Sequence, residues 1–387
     1  MAGDDEMPEM AAGQTPDFFL LQGPDGALRA ASPRARLAPG PIATLAARSA
    51  AFLAAADGPG LLVGAVPYDR AAEDCLHQPA RVDTTPRRFP PAAFGGEWRV
   101  EAIPPAADYR AAVAAALERL DVGGPLRKVV LSRSLAMTCG HDIPAAALLA
   151  GLGRDPAATL FSVALPERQP GQPRRLLGAT PELLLSRRGR AVASHPLAGS
   201  ARRRADPARD RAAGEALLAS AKDRREHEMV VEAVLDALAP HCRELGAPKG
   251  TTLRATATMW HLGTRIEGIL RDGAPAAELL AALHPTPAVC GLPREPADIL
   301  LRQLEGHDRG FYAGAVGWLD AAGDGEWHVA LRCAEIEGPR LTMWAGAGIV
   351  PGSDPEGETA ETSAKFLAML GALGIDEDGH PLHGRVA

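Results

Sequence analysis

The 387-residue sequence lacks the marks of a secreted or membrane protein. Its five cysteines are far apart and form neither a CxxC pair nor a dense framework, which argues against a disulfide scaffold and predicts reduced thiols. The N-terminal stretch MAGDDEMPEM has no basic segment followed by an apolar one, so we expect no signal peptide. No apolar run approaches the length of a membrane span. We therefore expect a cytoplasmic protein with no membrane partner.

The sequence also has fewer positively charged than negatively charged residues. The 41 Lys and Arg residues are outnumbered by 48 Asp and Glu residues, which gives a net charge of -7. Binding through nucleic-acid phosphates needs a basic face, so this balance argues against a nucleic-acid partner. The sequence contains no Walker loop, HExxH or GxSxG motif. The pair Gly346 and Gly348 lacks the third glycine of a dinucleotide-binding turn, and Pro351 interrupts that turn.

Many short strand patterns alternate with helical patterns along the chain. Helices are predicted over residues 44–56, 108–120, 145–152, 207–239, 276–283 and 295–304. Strands are predicted over residues 61–66, 127–133, 159–165, 254–267, 311–319, 327–336 and 341–350, among others. Glycine- and proline-containing turns connect neighbouring strands, as in antiparallel hairpins. The pattern predicts an α+β layered protein rather than a doubly wound parallel sheet. Residues 1–16 are expected to be disordered and residues 71–99 irregular.

The stretch WAGAGIVPGSDPEGETAETSAK predicts a strand with a bare glycine backbone, then a turn and a helix. Glu358, Glu361 and Lys365 project from one face of that helix. A second acidic pair, Asp223 and Glu226, is spaced three apart on another predicted helix. Two such helices facing one another would offer Mg²⁺ the oxygen ligands it prefers. Each pair could equally be a solvated acidic face, with Glu361 paired to Lys365.

Two titratable residues are candidates for proton transfer. Lys128 lies on an apolar β-run, and Glu182 follows a Thr-Pro dipeptide. A lysine that burial keeps neutral is a general base, and a glutamic acid that burial keeps protonated is a general acid. Such a pair could add water to one carbon and expel hydroxyl from another. The alternatives are an edge-strand charge for Lys128 and a helix N-terminal residue for Glu182.

One arginine and one histidine are further candidates. Arg332 is predicted to share a strand face with His328 and Ala330, amid apolar neighbours. There it would be either an anchor for a substrate carboxylate or half of a structural ion pair. His261 is interpreted most simply as a satisfied core or cleft histidine.

The motifs of the chain occur in a specific order. They are KVVLSR, GATPELLL, PLAGSARR, KDRREHEMV, TMWHLGT, HPTPAVCGLP, FYAGAVGW, ALRCAEI and WAGAGIVPGSDPEGETAETSAK. Together they resemble the chorismate-utilising enzymes, the family of anthranilate, aminodeoxychorismate, isochorismate and salicylate synthases. The resemblance implies one α+β domain of two antiparallel sheets packed face to face, with helices outside. Residues 17–100 would be its variable N-terminal part, residues 101–375 its catalytic region and residues 376–387 a tail.

The resemblance also implies residue roles. Lys128 would activate water, and Glu182 would protonate the departing C4 hydroxyl of chorismate. Mg²⁺ would be held by Glu226 and Glu361, with Asp223 and Glu358 joining directly or through water. The substrate would be surrounded by Gly199, His261, Ala288, Tyr312, Arg332, Gly346, Ala347, Gly348 and Lys365.

Two positions favour a subclass within the family. Members that use ammonia have glutamine or another residue in place of Lys128, so this lysine implies hydroxyl transfer. Ala288 stands where the salicylate and anthranilate enzymes resemble one another in having threonine. The resemblance thus implies an Mg²⁺-dependent isochorismate synthase, expected to be a monomer, that serves a 2,3-dihydroxybenzoate-type siderophore pathway. A salicylate synthase, an isochorismate synthase for menaquinone, and an inactive chorismate-binding paralogue remain alternatives.

Overall fold

The computed structural model describes residues 17–91, 94–121 and 124–382. Its strands form three sheets in which every neighbouring pair is antiparallel. The predicted disordered segment 1–16 and residues 383–387 of the predicted tail lie outside the described residues.

The first sheet has nine strands, numbered with the others in chain order. Across the sheet they are β17 (Gly291–Leu292), β7 (Lys128–Thr138), β21 (Arg340–Ile349), β20 (Cys333–Glu337), β9 (Arg174–Thr180), β8 (Thr159–Leu165), β1 (Phe19–Gly23) and β2 (Gly26–Ala30), with β6 (Arg99–Ile103) also paired to β7. Its longest pairing joins β21 to β7, so the glycine-bearing strand lies directly beside the strand that begins with Lys128.

The second sheet also has nine strands, and a small third sheet has three. The second runs β13 (Cys242–Gly246), β16 (Ile266–Leu270), β11 (Ala191–His195), β10 (Leu183–Arg188), β19 (Gly325–Val329), β18 (Ala315–Asp320), β4 (Leu61–Val66), β5 (Cys75–Pro79) and β3 (Pro33–Arg36). The third runs β12 (Leu197–Arg202), β15 (Met259–Thr264) and β14 (Thr251–Ala255). The sequence did not predict this third sheet.

Eight α-helices are present among the described residues. They are α1 (Leu45–Ala55), α2 (Ala106–Asp121), α3 (Ala145–Leu152), α4 (Pro207–Ala219), α5 (Ala221–Leu238), α6 (Ala276–Leu283), α7 (Arg294–Leu304) and α8 (Pro355–Leu373). In the part of the chain that the structure covers, none of them combines the length and apolar character needed to cross a bilayer.

The two large sheets pack face to face, as predicted. One core contains Phe161 from the first sheet and Trp327 from the second, both fully buried. A second core covers the opposite face of the first sheet, where Leu148 of α3 and Phe366 of α8 pack with Met343. Strand alternation along β21 directs Met343 into this second core and leaves the other face of β21 toward the first.

Several predicted elements match the structure, and three are divided. The predicted helices 145–152 and 276–283 and strands 61–66 and 159–165 have the observed bounds. The predicted helix 207–239 is wrong as one element, because Ser220 caps a new helix by accepting a hydrogen bond from the Asp223 N–H at 3.3 Å.

The other two divisions occur where a strand meets a turn. The predicted strand 254–267 is divided among β14, β15 and β16. The predicted strand 327–336 is divided into β19 and β20, which belong to different sheets, so Arg332 does not share a strand face with His328. The predicted irregular stretch 71–99 contains β5, a short strand that its proline-rich neighbours obscured.

Truncating the second core should destabilise the fold measurably. Leu148 is completely buried, so we expect Leu148→Ala to lower the free energy of unfolding by about 2–5 kcal/mol through lost burial and a residual cavity. Chemical denaturation would measure the loss. The matched control is Leu218→Ala, because Leu218 is 41% exposed and its truncation should cost less than about 0.5 kcal/mol. Equal losses for both variants would contradict the assignment of this core.

Candidate active site

A cleft lies where the chain crosses between the two large sheets. One crossover joins β9 to β10 at Glu182, and the other joins β19 to β20 at Arg332. The Val329 N–H donates to the Glu182 carbonyl, and the Ala179 N–H donates to the Arg332 carbonyl, both at 3.2 Å. These bonds hold the two crossovers side by side, so both side chains border one cavity.

Most of the predicted site residues line this cleft. They are Glu182, Gly199, Glu226, His261, Ala288, Tyr312, Arg332, Gly346, Gly348, Glu361 and Lys365. The remaining lining residues are mainly small or apolar: Val130, Pro181, Leu197, Ala198, Ser200, Val289, Leu331, Trp344 and Ala345. Glu226 comes from α5 and Glu361 from α8, so both acidic helices contribute a carboxylate to this cleft.

Four predicted residues do not line the cleft wall itself. Lys128 is fully buried behind it, with its Nζ 2.9 Å from Oε1 of Glu226. Glu358 is buried one turn before Glu361 on α8. Asp223 packs against Gly199. Ala347 is also buried, and strand alternation turns its side chain away from the cleft that its two glycine neighbours border.

The glycines of β21 make the close packing possible. A Cβ on Gly348 would lie 2.0 Å from Oε1 of Glu226, so any side chain at this position would force the Glu226 carboxylate to move away from Lys128. A Cβ on Gly346 would lie 3.1 Å from the hydroxyl of Tyr312. Gly199 has φ +73°, a conformation that L side chains rarely adopt, and this turn brings Asp223 against the backbone. The bare backbone therefore lets side chains from α5 reach the sheet.

Lys128 and Glu226 form a buried ion pair with unused hydrogen-bonding capacity. The 2.9 Å separation satisfies a salt bridge, but its direction falls outside hydrogen-bond geometry, and Nζ of Lys128 has no hydrogen-bond partner among the described residues. A buried ammonium or amine without a partner is unusual in native proteins. Lys128 thus retains donor or acceptor capacity next to the cleft.

Glu182 is the acid group of the cleft. Burial raises the pKa of its carboxyl to about 8, although the Leu197 N–H and the charges of Lys128 and Lys365 act in the opposite direction. Desolvation disfavours the carboxylate, so the neutral acid persists to higher pH than usual. The Glu182 N–H donates to Oγ1 of Thr180 at 3.3 Å, which helps to fix the turn. Near neutral pH, Glu182 can therefore donate a proton.

Arg332 and His261 present a cation beside a neutral ring. Arg332 has φ 48°, a strained value for a residue with a side chain, at the point where the chain leaves β19 for β20. Its Nη2 lies 3.4 Å from Nε2 of His261. Burial and then the charges of Arg332 and Lys365 hold the pKa of His261 well below its usual value. The histidine is therefore neutral, and the guanidinium is available for an anion.

Glu358 and Glu361 of α8 are each paired with a lysine. Lys365 donates to Oε1 of Glu361 at 2.6 Å and to the carbonyl of Gly346 at 2.8 Å, and Oγ of Ser200 donates to the same Glu361 oxygen at 2.9 Å. Burial would raise the pKa of Glu361, but Lys365 and Ser200 hold it below its usual value. Glu361 is thus ionised and available to a cation.

Glu358 lies in a more strained electrostatic position. Nζ of Lys222 donates to its Oε1 at 2.6 Å. Burial, and then repulsion from Glu361, raise the pKa of Glu358 in spite of this lysine. An additional positive charge would therefore stabilise the ionised form of Glu358.

The donor set fits a hard divalent cation in its chemistry. Glu226 and Glu358 are buried, Glu361 is half-buried, and all three supply carboxylate oxygens. Their oxygens are turned toward lysines. Among the described residues, three metal-type ligand atoms lie within 4.8 Å of one another only in the turn after α8, at Asp376, Asp378 and His380. Mg²⁺ is typically bound through one or two carboxylates, and water or substrate oxygens complete its coordination.

Sequence reasoning missed three residues of the site. Lys222 was hidden in the charged run KDRREHE, where any residue resembles a solvated helix face. Ser200 follows the predicted Gly199 but carries no spacing signal of its own. Trp344 stacks on Tyr312, with ring centroids 5.7 Å apart and an interplanar angle of 10°. The stacked pair gives the cleft a flat apolar wall.

Comparisons with known proteins identify the family to which this sequence is similar. The family model described as chorismate binding enzyme matches residues 70–374. The chain is 46% identical over 324 residues to the isochorismate synthase DhbC of Bacillus subtilis, which covers 82% of this chain and 81% of that protein. It is 40% identical over 325 residues to the vibriobactin-specific isochorismate synthase of Vibrio cholerae serotype O1, covering 83% and 80% respectively.

A solved structure with the same fold also comes from an isochorismate synthase. The crystal structure of DhbC from Bacillus anthracis is 38% identical and superposes with a TM-score of 0.88, covering 94% of this chain and 98% of that one. The predicted family and the predicted α+β fold of packed antiparallel sheets are confirmed. The chain belongs to the family of chorismate binding enzymes.

Proposed function

We propose that this protein is an isochorismate synthase, an isomerase that interconverts chorismate and isochorismate. The observation that carries the proposal is a protonated acid and a buried amine at one cleft. Glu182 has a pKa of about 8, and Lys128 lies close enough to act on it electrostatically. Moving a hydroxyl group from one ring carbon to another needs one proton removed and one supplied, which is what this pair provides.

The substrate would be held by its two carboxylates and its ring. Arg332 and Lys365 supply cations, and the backbone of Gly346 and Gly348 can approach an anion without hindrance from side chains. The stacked rings of Tyr312 and Trp344 offer a flat surface to the ring of the substrate. A dianionic cyclic substrate matches these features.

The reaction would proceed by proton transfers at two named groups. Lys128 accepts a proton from water as the water oxygen bonds to C2 of chorismate. The ring double bonds shift, and the C4–O bond breaks as Glu182 donates its proton, so that the leaving hydroxyl departs as water. One water enters and one leaves, and the product is an isomer of the substrate.

Mg²⁺ would be held by Glu226 and Glu361, with Asp223 and Glu358 as direct or water-mediated ligands. When bound, the cation would neutralise negative charge that spreads onto the ring carboxylate of the substrate. The support for this assignment is that Glu226 of α5 and Glu361 of α8 both place carboxylate oxygens at the cleft. All the proposed ligands come from one chain, so we infer that a monomer is sufficient.

The product is assigned to a 2,3-dihydroxybenzoate-type siderophore pathway. The similarity to DhbC of Bacillus anthracis, named as a 2,3-dihydroxybenzoate-specific isochorismate synthase, supports this assignment. A MenF relative from Mycobacterium tuberculosis, 42% identical over 368 residues, keeps menaquinone biosynthesis as the alternative. Ala288 lines the cleft where salicylate-forming members resemble one another in having threonine, which supports release of isochorismate without pyruvate elimination. The five cysteines are free thiols, in keeping with a cytoplasmic enzyme.

The direct test is a product assay. Purified protein incubated with chorismate and Mg²⁺ should form isochorismate, detected by chromatography, and excess chelator should abolish the conversion. No salicylate or pyruvate should accumulate. Salicylate together with pyruvate would overturn the subclass and the weight placed on Ala288. The absence of any conversion would overturn the proposed activity. Full activity in excess chelator would refute the proposed requirement for Mg²⁺.

Substitution of the acid or the base should affect turnover more than binding. We expect Lys128→Met and Glu182→Gln each to lower kcat by about 10²- to 10⁴-fold with a much smaller change in KM, because each variant loses one proton transfer. The matched control is Lys249→Met, since Lys249 is exposed in a turn outside the cleft. Thermal unfolding would show that the variants are folded. Near-normal turnover in either cleft variant would refute its role.

The pH dependence should report the raised pKa of Glu182. The protonated form donates, so kcat/KM should fall as the pH rises through about 8. A carboxyl with an ordinary pKa near about 4.3 would already be ionised at pH 6. A rate profile measured between pH 5 and 9.5 would distinguish the two cases. A decline centred below pH 6 would contradict the assignment of Glu182 as the acid.

A further inference from the structure

Lys222 lies at the acidic centre of the site without any role assigned above. It belongs to the first turn of α5, immediately after the Ser220 cap. A cation near a helix N-terminus is unfavourable, because the backbone N–H groups already present positive charge there. The lysine is therefore not placed to stabilise its own helix. Its stabilising contacts lie across the site, on α8.

The Lys222 ammonium group is bonded to one carboxylate of α8. Its Nζ donates to Oε1 of Glu358 at 2.6 Å, and the Glu358 side chain is only 3% exposed. Glu226 follows Lys222 by one turn of α5, and Glu361 follows Glu358 by one turn of α8. Lys222 thus lies where the carboxylate-bearing turns of the two helices approach one another.

The Lys222 ammonium group can move into solvent more readily than those of the other two lysines near the cleft. The Lys128 side chain is completely buried, and Lys365 is 18% exposed and also bonded to the carbonyl of Gly346. Lys222 is 30% exposed and has Glu358 as its one hydrogen-bonded partner among the described residues. A long flexible stem lets such an ammonium group move into water while its methylene groups stay packed.

The site cannot hold both the Lys222 ammonium group and a divalent cation without strong repulsion between them. Glu358 and Glu361 are each paired with a lysine, so a divalent ion bound to them adds two positive charges beside carboxylates that are already balanced. An ammonium group within a few ångströms of the ion would repel it strongly in this partly buried setting. Lys222 is the most exposed of the three lysines. Its displacement from Glu358 relieves that repulsion and frees one carboxylate oxygen as a ligand.

We propose that Lys222 is an exchangeable counter-ion, which occupies Glu358 when the divalent cation is absent and is displaced into solvent when the cation binds. This inference rests on the Mg²⁺ site of the proposed function. Lys222 then sets how tightly the cation is held, and it keeps the acidic cluster folded in the metal-free protein. It is a positioning residue for the cation and takes no part in proton transfer.

Calorimetric titration of Mg²⁺ into the metal-free protein tests the proposal without any measurement of activity. We expect Lys222→Met to bind Mg²⁺ roughly tenfold more tightly than the unsubstituted protein, because a competing charge has been removed. Its metal-free form should melt at a lower temperature, and Mg²⁺ should raise that temperature by more than in the unsubstituted protein. Lys249→Met is the matched control and should leave both quantities unchanged.

A second variant keeps the test decisive if Lys222→Met folds poorly. Lys222→Arg retains the charge and can hold Glu358 by two parallel bonds, so it should bind Mg²⁺ more weakly than the unsubstituted protein. Unchanged affinity in both variants, or weaker binding in a folded Lys222→Met protein, would overturn the proposal. Absence of binding heat in every protein would overturn it as well. Mg²⁺ binding without chorismate turnover would instead count against the proposed activity alone.

Discussion

Charge balance in a cleft largely closed to water is the condition on which the rest of the site depends. Glu226, Glu358 and Glu361 each lie within 3 Å of a lysine nitrogen, and each pair but one joins separate elements. Lys128 ties β7 to α5, and Lys222 ties α5 to α8. A buried carboxylate without such a partner would be strongly destabilising. The ion pairs therefore fix where the two helices meet the sheet.

The backbone has to make room for these charges. Gly348 admits the Glu226 carboxylate to the surface of β21, and Gly199 uses a left-handed conformation to admit Asp223. The crossover at Arg332 tolerates a positive φ because backbone hydrogen bonds on both sides hold it. The same low-dielectric setting that makes unpaired charge costly raises the pKa of Glu182 to about 8 and so makes it a proton donor. Packing and chemistry thus have a common physical cause.

Local features of this site were predictable from sequence, and long-range ones were not. The shared face of Glu358, Glu361 and Lys365 follows from helical spacing alone. The meeting of α5 with α8 depends on tertiary packing, so it could be inferred only through the resemblance to a family. Arg332 was misplaced because period-two alternation assumes a continuous strand, whereas the chain changes sheets there. Lys222 was missed because its neighbours are charged as well.

The choice of lysine over arginine follows from what the cleft must do. Of 41 basic residues only four are lysines; Lys128, Lys222 and Lys365 lie at the cleft, and Lys249 is exposed. Elsewhere arginine suffices, as in the buried ion pair between Arg309 and Glu305. Arginine keeps its proton and grips a carboxylate with a rigid fork, whereas lysine can give up a proton or swing away. A base and an exchangeable counter-ion both require a charge that can be withdrawn. The roles proposed for Lys128 and Lys222 would therefore explain why lysine, rather than arginine, occupies these two positions.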